Sequence, residues 1–288
     1  MLIFKRLGLV LVTAVLLSSC LGKYVESDLD KSYKENETQI LAYASTNGIT
    51  LSQDTQSSIY YQKLTKNDAG TQVSSKYDLR VAYKLSTLAG KVIETKTAAD
   101  SVVLNLYTTK VLDGFLYSIL LLKEKEKGQF FIPSYLAYYD TPPAGVEKYE
   151  VIVLELEVLG LISEEEKIDS YISKNKLVVS KKTDTGLRFI RTNAATSADS
   201  LKTGDVLSVN YNGMFLNNTS FDSGTLSVTL GTTSLIPGFI EGLKLMKKGE
   251  KAKVIMPSSL GYTDKGSGKI PPYTPLIFDL EIVSVNGL

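Results

Sequence analysis

The chain has 288 residues, 43% hydrophobic and 22% charged, with a formal charge of +1: enough apolar material for two ordinary cores, and no bias toward nucleic acid. With no histidine and a single cysteine, a Ser-His-Asp triad, a Cys-His pair, most zinc sites and any internal disulfide are excluded. No metal and no cofactor is expected.

Lys5-Arg6 precede an apolar run from Leu7 to Leu17 that ends in Leu17-Ser18-Ser19-Cys20, which resembles a bacterial lipobox. The run is too short to span a bilayer. The reading is a signal peptide over 1–19, removed so that Cys20 becomes the acylated N-terminus, with formal charge −1 left on the mature chain. An uncleaved anchor or an ordinary secretory signal are the alternatives. Residues 20–36, with Glu26, Asp28, Asp30 and Glu35, read as a polar tether between lipid and the first folded unit. The resulting expectation is a lipid anchor in a bacterial membrane, the outer membrane facing the periplasm or the cell surface.

From there on the chain repeats itself. Gly114-Phe115 matches Gly238-Phe239, Pro133-Ser134 matches Pro257-Ser258, Tyr138 matches Tyr262 and Leu156-Glu157 matches Leu280-Glu281, all at an offset of 124, with 14 identities in the 45 positions of 114–158. Upstream the offset is 128, pairing Ile40 with Ile168, Tyr43 with Tyr171, Asn47 with Asn175, Tyr61 with Phe189 and Tyr83 with Tyr211. A constant offset through glycine, proline and tyrosine indicates duplication rather than shared core patterning. Each repeat opens with a short polar helix, Glu37 to Asn47 and Glu164 to Asn175. In the second, strand alternation follows over Gly186 to Arg191, Val206 to Asn212, Leu226 to Leu230, Lys251 to Met256 and Leu276 to Val285. Asn217-Asn218 supplies a hairpin turn. Pro237-Gly238 opens a short helix with Phe239, Leu243 and Met246 on one face, so each repeat is predicted to be an α+β domain. The expected divisions are 37–160, a helical linker 161–180 that either holds the domains rigidly or swings, and 181–288.

The second repeat carries Val209-Asn210-Tyr211-Asn212-Gly213, Phe221-Asp222-Ser223, Leu230-Gly231, Leu235-Ile236-Pro237-Gly238-Phe239, Leu260-Gly261-Tyr262, Ile270-Pro271-Pro272 and Leu276-Ile277-Phe278-Asp279. In this order and spacing the motifs resemble the FKBP-type peptidyl-prolyl cis/trans isomerases. The resemblance implies, in each of two tandem FKBP-like domains, an antiparallel half-barrel sheet wrapped around one short helix. It also implies a prolyl pocket between sheet and helix. Carried over, the catalytic positions are Tyr211, Asp222 and Tyr262. The substrate-binding ones are Phe221, Leu226, Leu235, Ile236, Phe239, Ile270 and Phe278. The family's usual tryptophan is Phe239 here, its common aromatic is Leu226, and no histidine precedes Ile270. Judged without the resemblance, the same aromatic residues read as core and Asp222 as a turn cap.

In the first repeat Tyr83, Phe115 and Tyr138 persist. Phe221-Asp222 becomes Ile93-Glu94, Ile270-Pro271-Pro272 becomes Val146-Glu147-Lys148, and Phe278 becomes Leu154. The link across the pocket is read as four residues shorter there, and Phe130-Phe131 and Tyr138-Tyr139 as added apolar surface. The expectation is a degenerate FKBP-like domain that binds or spaces. The whole is expected to assist folding of exported proteins, with proline-containing polypeptides and macrolide-type inhibitors as partners. A non-catalytic chaperone or scaffold lipoprotein is the alternative.

Overall fold

The computed structural model describes residues 28–193 and 200–286. The signal segment, Cys20 and the start of the tether lie outside the described residues. The first element, α1, runs Asp28–Thr46, nine residues ahead of the expected start, so the stretch read as tether is helical from Asp28 on. Tertiary contacts hold these early turns rather than an apolar stripe. Asn36 is buried, donates to Tyr149 O at 2.9 Å and accepts from Ser134 N at 2.7 Å, and Tyr33 stacks on Tyr135 with ring centroids 5.4 Å apart.

Then follow β1 (Ser52–Gln53), β2 (Tyr60–Thr65), β3 (Asp78–Thr87), β4 (Val92–Lys96), β5 (Val102–Asn105), α2 (Asp113–Leu120), β6 (Lys127–Ile132) and β7 (Ile152–Ile162). They form one antiparallel sheet in the order β1-β2-β6-β7-β3-β4, with β5 also paired to β3. The second body comprises α3 (Glu164–Lys174), β8 (Lys181–Lys182), β9 (Arg188–Arg191), β10 (Val206–Phe215), β11 (Ser220–Thr229), α4 (Pro237–Lys244), β12 (Lys251–Met256) and β13 (Leu276–Val285). Its sheet runs β11-β10-β13-β12-β9-β8. The α+β architecture of two sheets, each with one short helix on its concave face, is as expected.

Both faces of each sheet are used. On the concave side of the second sheet, Val209, Val254, Phe278 and Leu280 pack with Phe239 and Leu243 of α4. In the first, Val81, Phe130, Leu154 and Leu156 pack with Phe115 and Ile119 of α2. Phe130 and Phe131 are therefore not added surface: both are fully buried, Phe130 in the concave core and Phe131 beneath α1, because adjacent strand residues point to opposite faces.

The helix α3 is likewise no swinging linker. Its Ile168 and Tyr171 cover Ile190, Ile255 and Ile277 on the convex side of the second sheet, and fully burying an isoleucine is worth roughly 1.5–3 kcal/mol. A capping box between Ser163 and Glu166 starts it. The guanidinium of buried Arg188 is tied to Glu165 and Asp169 of the same helix. The region 161–180 is thus integral to the second body, and Lys167 reaches back to Asp78 of the first at 3.1 Å.

The duplication extends to contacts that no sequence match displays. Asn36 clasps Ser134 as Glu164 clasps Ser258, the latter through its N–H at 2.6 Å and hydroxyl at 2.7 Å. Glu37 accepts from Tyr60 at 2.6 Å where Glu165 accepts from Arg188. Buried Glu126 pairs with Lys63 as buried Glu250 pairs with Arg191.

The four-residue difference runs opposite to the reading above. Opposite β3 and β10, Tyr83 faces Lys96 as Tyr211 faces Gly224, and Val81 faces Val102 as Val209 faces Leu226. Residues 97–101 therefore stand where Thr225 alone does. The first domain has an insertion that breaks one long strand into β4 and β5, and Asp100 closes it by accepting from Thr97.

Candidate functional site: an aromatic box beside α4

The inward positions of β10 are Val209, Tyr211 and Gly213, and the last of these decides the geometry. A Cβ at Gly213 would lie 2.7 Å from the Phe221 ring and 3.0 Å from Phe278, so only glycine lets both rings close over the strand. Phe221 and Phe278 meet edge-on at 5.8 Å, Phe278 and Phe239 at 5.3 Å, and Tyr211 and Phe239 at 6.0 Å. Edge-to-face packing is the favoured arrangement of ring quadrupoles.

Phe239 is placed by α4. Pro237 opens the helix, where its missing N–H and fixed φ cost nothing. At Gly238 a Cβ would lie 2.4 Å from Met256 Sδ, so glycine brings the helix close to the sheet. Met246 lies beyond the helix but remains buried in the same core.

The polar groups sit on the rim. Tyr211 Oη donates to Asp222 Oδ2 at 2.8 Å, and Asp222 is exposed. Burial first, and the Asp222 carboxylate second, push the Tyr211 hydroxyl above its ordinary range, so it stays a protonated donor at neutral pH. Ile236 is the N-cap of α4 at φ −57°, ψ 141°, and its N–H has no acceptor among the described residues. A helix N-terminus leaves such donors unsatisfied unless a side chain or ligand takes them. Tyr262 is half-buried against the core, and its hydroxyl makes no hydrogen bond among the described residues.

The remaining residues singled out above fall in the same place. Phe239, Ile270 and Phe278 are buried in one cluster, and Phe221, Leu226, Leu235, Ile236 and Tyr262 pack against it while retaining partial exposure. Two neighbours escaped the sequence reading. Gly213 had a signal, an isolated glycine inside a strand motif. Phe215, whose ring lies 5.2 Å from Phe221, follows a register shift at Gly213/Met214 that strict alternation cannot anticipate. A separate groove of about 450 Å³ on the convex side is lined by Asn210, Lys251, Lys253, Asp279 and Glu281. There the lysines are paired with Glu281 and Asp279, and Tyr211 is the one residue of the aromatic box that also lines the groove.

Comparisons with known proteins point to one family. A family profile described as FKBP-type peptidyl-prolyl cis-trans isomerase matches residues 69–159 and 198–283, together more than half of the chain. A probable FKBP-type peptidyl-prolyl cis-trans isomerase from Haemophilus influenzae is 30% identical over 212 residues, covering 71% of this chain and 84% of its own length. The isomerase FkpA of Aeromonas hydrophila is 33% identical over 129 residues, and the chain spans about half of that relative, 48%. The crystal structure of FkpA from Escherichia coli aligns with 42% of this chain and 58% of its own at 33% identity and a TM-score of 0.38. With two matching segments, each closed around its own helix, the chain belongs to the FKBP-type peptidyl-prolyl cis-trans isomerases and is an enzyme of that class.

Proposed function

We propose that the second domain carries the isomerase activity of the chain, with the prolyl ring of an extended substrate seated on Phe239 between Tyr211, Phe221 and Phe278. The observation that carries this reading is the meeting of a ring-lined box with three polar groups at its rim: the Tyr211–Asp222 pair, the uncommitted Ile236 N–H and the Tyr262 hydroxyl. Rotating an X-Pro bond means losing C–N double-bond character against a barrier of about 18–20 kcal/mol, with no covalent bond to form. An apolar seat disfavours the planar, charge-separated imide, and the twisted transition state is favoured by differential binding.

In this reading the Ile236 N–H and the Tyr262 hydroxyl donate to substrate carbonyls and hold the backbone on one side of the rotating bond. Asp222 orients Tyr211 as one wall. None of these residues acts as a nucleophile. Proline-containing polypeptides are the substrates, and macrolide-type inhibitors would enter the same box, weakened by Phe239 and Leu226 where larger aromatic residues are usual. The Cys20 lipobox adds an acylated anchor and a place outside the cytoplasm, so that the clients are exported proteins. Among the described residues no helix is long and apolar enough to cross a membrane.

The test is NMR exchange spectroscopy on an X-Pro tetrapeptide with a soluble form starting after Cys20. Catalysed exchange that falls about tenfold in Asp222→Ala is expected, whereas full exchange in that variant together with Tyr262→Phe removes the assignment. Metabolic labelling with a radioactive fatty acid, compared with Cys20→Ser, tests the anchor.

A further inference from the structure

The first domain departs from the second in its wall but not in its polar rim. Tyr83 Oη donates to Glu94 Oε1 at 2.9 Å, the counterpart of the Tyr211–Asp222 bond. Its ring stands edge-on to Phe115 at 5.2 Å and 87°, as Tyr211 does to Phe239. Burial and then Glu94 push the Tyr83 hydroxyl up to about 12. Leu112 is the N-cap of α2 at φ −60°, ψ 145°, within a few degrees of Ile236, and its N–H likewise has no acceptor among the described residues. Tyr138 is half-buried against this core, and its hydroxyl makes no hydrogen bond among the described residues.

The wall has been repacked rather than removed. Leu85 occupies the position of Gly213, and it pairs across the sheet with Leu154, which replaces Phe278. Both are buried in the core, and Ile93, in place of Phe221, packs against them. A glycine and two phenylalanines have become three aliphatic residues, a nearly volume-conserving exchange of the kind cores tolerate. Val146 is buried where Ile270 is buried. What is lost is aromatic character; the seat, both rim tyrosines, the carboxylate and the free N–H are kept.

We propose that the first domain is a second binding site for extended, proline-containing polypeptide, built on Phe115, Leu112 N–H, Tyr138 and the Tyr83–Glu94 pair. The reading rests on the site proposed for the second domain, from which the ligand class is taken. The tyrosine–carboxylate bond and the helix N-terminus with its N–H unaccepted among the described residues stand together here as in the second domain, through much change in the wall. The aliphatic wall gives up ring–ring contacts worth about 0.5–1.5 kcal/mol each, so this site binds more weakly than the second. One client chain that carries two prolines then makes its second contact intramolecularly, which raises avidity without any new surface.

The experiment is an amide-resolved NMR titration of the soluble chain starting after Cys20 with a proline-containing tetrapeptide. Saturable shifts at Leu112 and Tyr138 are expected, with an affinity about tenfold below that reported by Ile236 and Tyr262. The Tyr83→Phe/Glu94→Gln variant is expected to weaken only the Leu112 and Tyr138 response, while the undisturbed second-domain amides show that the chain is folded. Saturation at Ile236 and Tyr262 with still amides at Leu112 and Tyr138 overturns the inference alone. Movement at Leu112 without movement at Ile236 supports it while removing the second-domain site. Silence at both sites overturns both.

Discussion

The two domains share helix placement, sheet order, buried carboxylates and a tyrosine–carboxylate rim, and differ where a proline ring would touch. The second domain closes two phenylalanines over Gly213; the first fills the same volume with Leu85, Leu154 and Ile93 and lets 97–101 interrupt the neighbouring strand. The lesson is that core packing constrains volume while a site constrains chemical character. A duplicated domain keeps its fold through like-for-like exchange, as in Ile119 for Leu243, and the aromatic wall is kept in the domain to which we assign the activity.

The most damaging way to probe that contrast is at the helix. Phe115→Ala and Phe239→Ala each remove a buried phenylalanine, 2% and 3% exposed, and each is expected to cost about 3–5 kcal/mol. Urea unfolding followed by tyrosine fluorescence should give equal losses; a much smaller cost at Phe115 would mean that the first core is looser than its packing indicates.

Next in size is Gly213→Ala. The added methyl meets the Phe221 and Phe278 rings at 2.7 and 3.0 Å, an overpacking cost of roughly 1–3 kcal/mol. The displaced rings should slow isomerisation more than stability falls. Asp222→Ala comes third: loss of the exposed bond that orients Tyr211 is expected to drop catalysed exchange about tenfold, about 1.4 kcal/mol of transition-state stabilisation, with the urea midpoint almost unmoved because exposed pairs add little to folding.

A pH series sharpens the comparison further. The Tyr83 hydroxyl is raised to about 12 in the folded chain, against about 10 unfolded. Its contribution is therefore fully present below pH 10 and is lost as pH rises through 12. The urea midpoint should fall between about pH 10 and 12, and less so in Tyr83→Phe; identical slopes would show that the Tyr83 hydroxyl contributes nothing to folding. The smallest effect is expected from Asp78→Asn, which breaks the Lys167 bridge between the domains for about 0.2–1 kcal/mol.

Much of the fold and of the candidate site was legible in the order of residues alone. The tandem offsets and the apolar face of α4 follow from repetition and spacing, and the grouping of Tyr211, Phe221, Phe239 and Phe278 is what the family resemblance implied. Other features were not, for identifiable reasons. The early start of α1 depends on Asn36 meeting Ser134, 98 residues away, and no local pattern announces such a pair. Phe130-Phe131 reads as an apolar doublet, and only the strand assignment sends the two rings to opposite cores. Ile93-Glu94 looked like the loss of a functional pair because the aromatic residue had gone, whereas the register of β3 on β4 keeps the carboxylate within 2.9 Å of Tyr83.

By itself, then, the amino-acid order determined the duplication and the alternation that makes each sheet, because these are properties of periodicity and spacing along one chain, while the residues around α4 were named through the family resemblance that their motifs carry. The tertiary structure alone decided that α3 belongs to the second body and that the extra residues lie in the first domain's wall. It alone decided that a glycine stands opposite two rings in one domain and a leucine opposite two aliphatic residues in the other. Those outcomes depend on strand register and on which distant side chains share a volume, and the chain acquires both only when its strands pair.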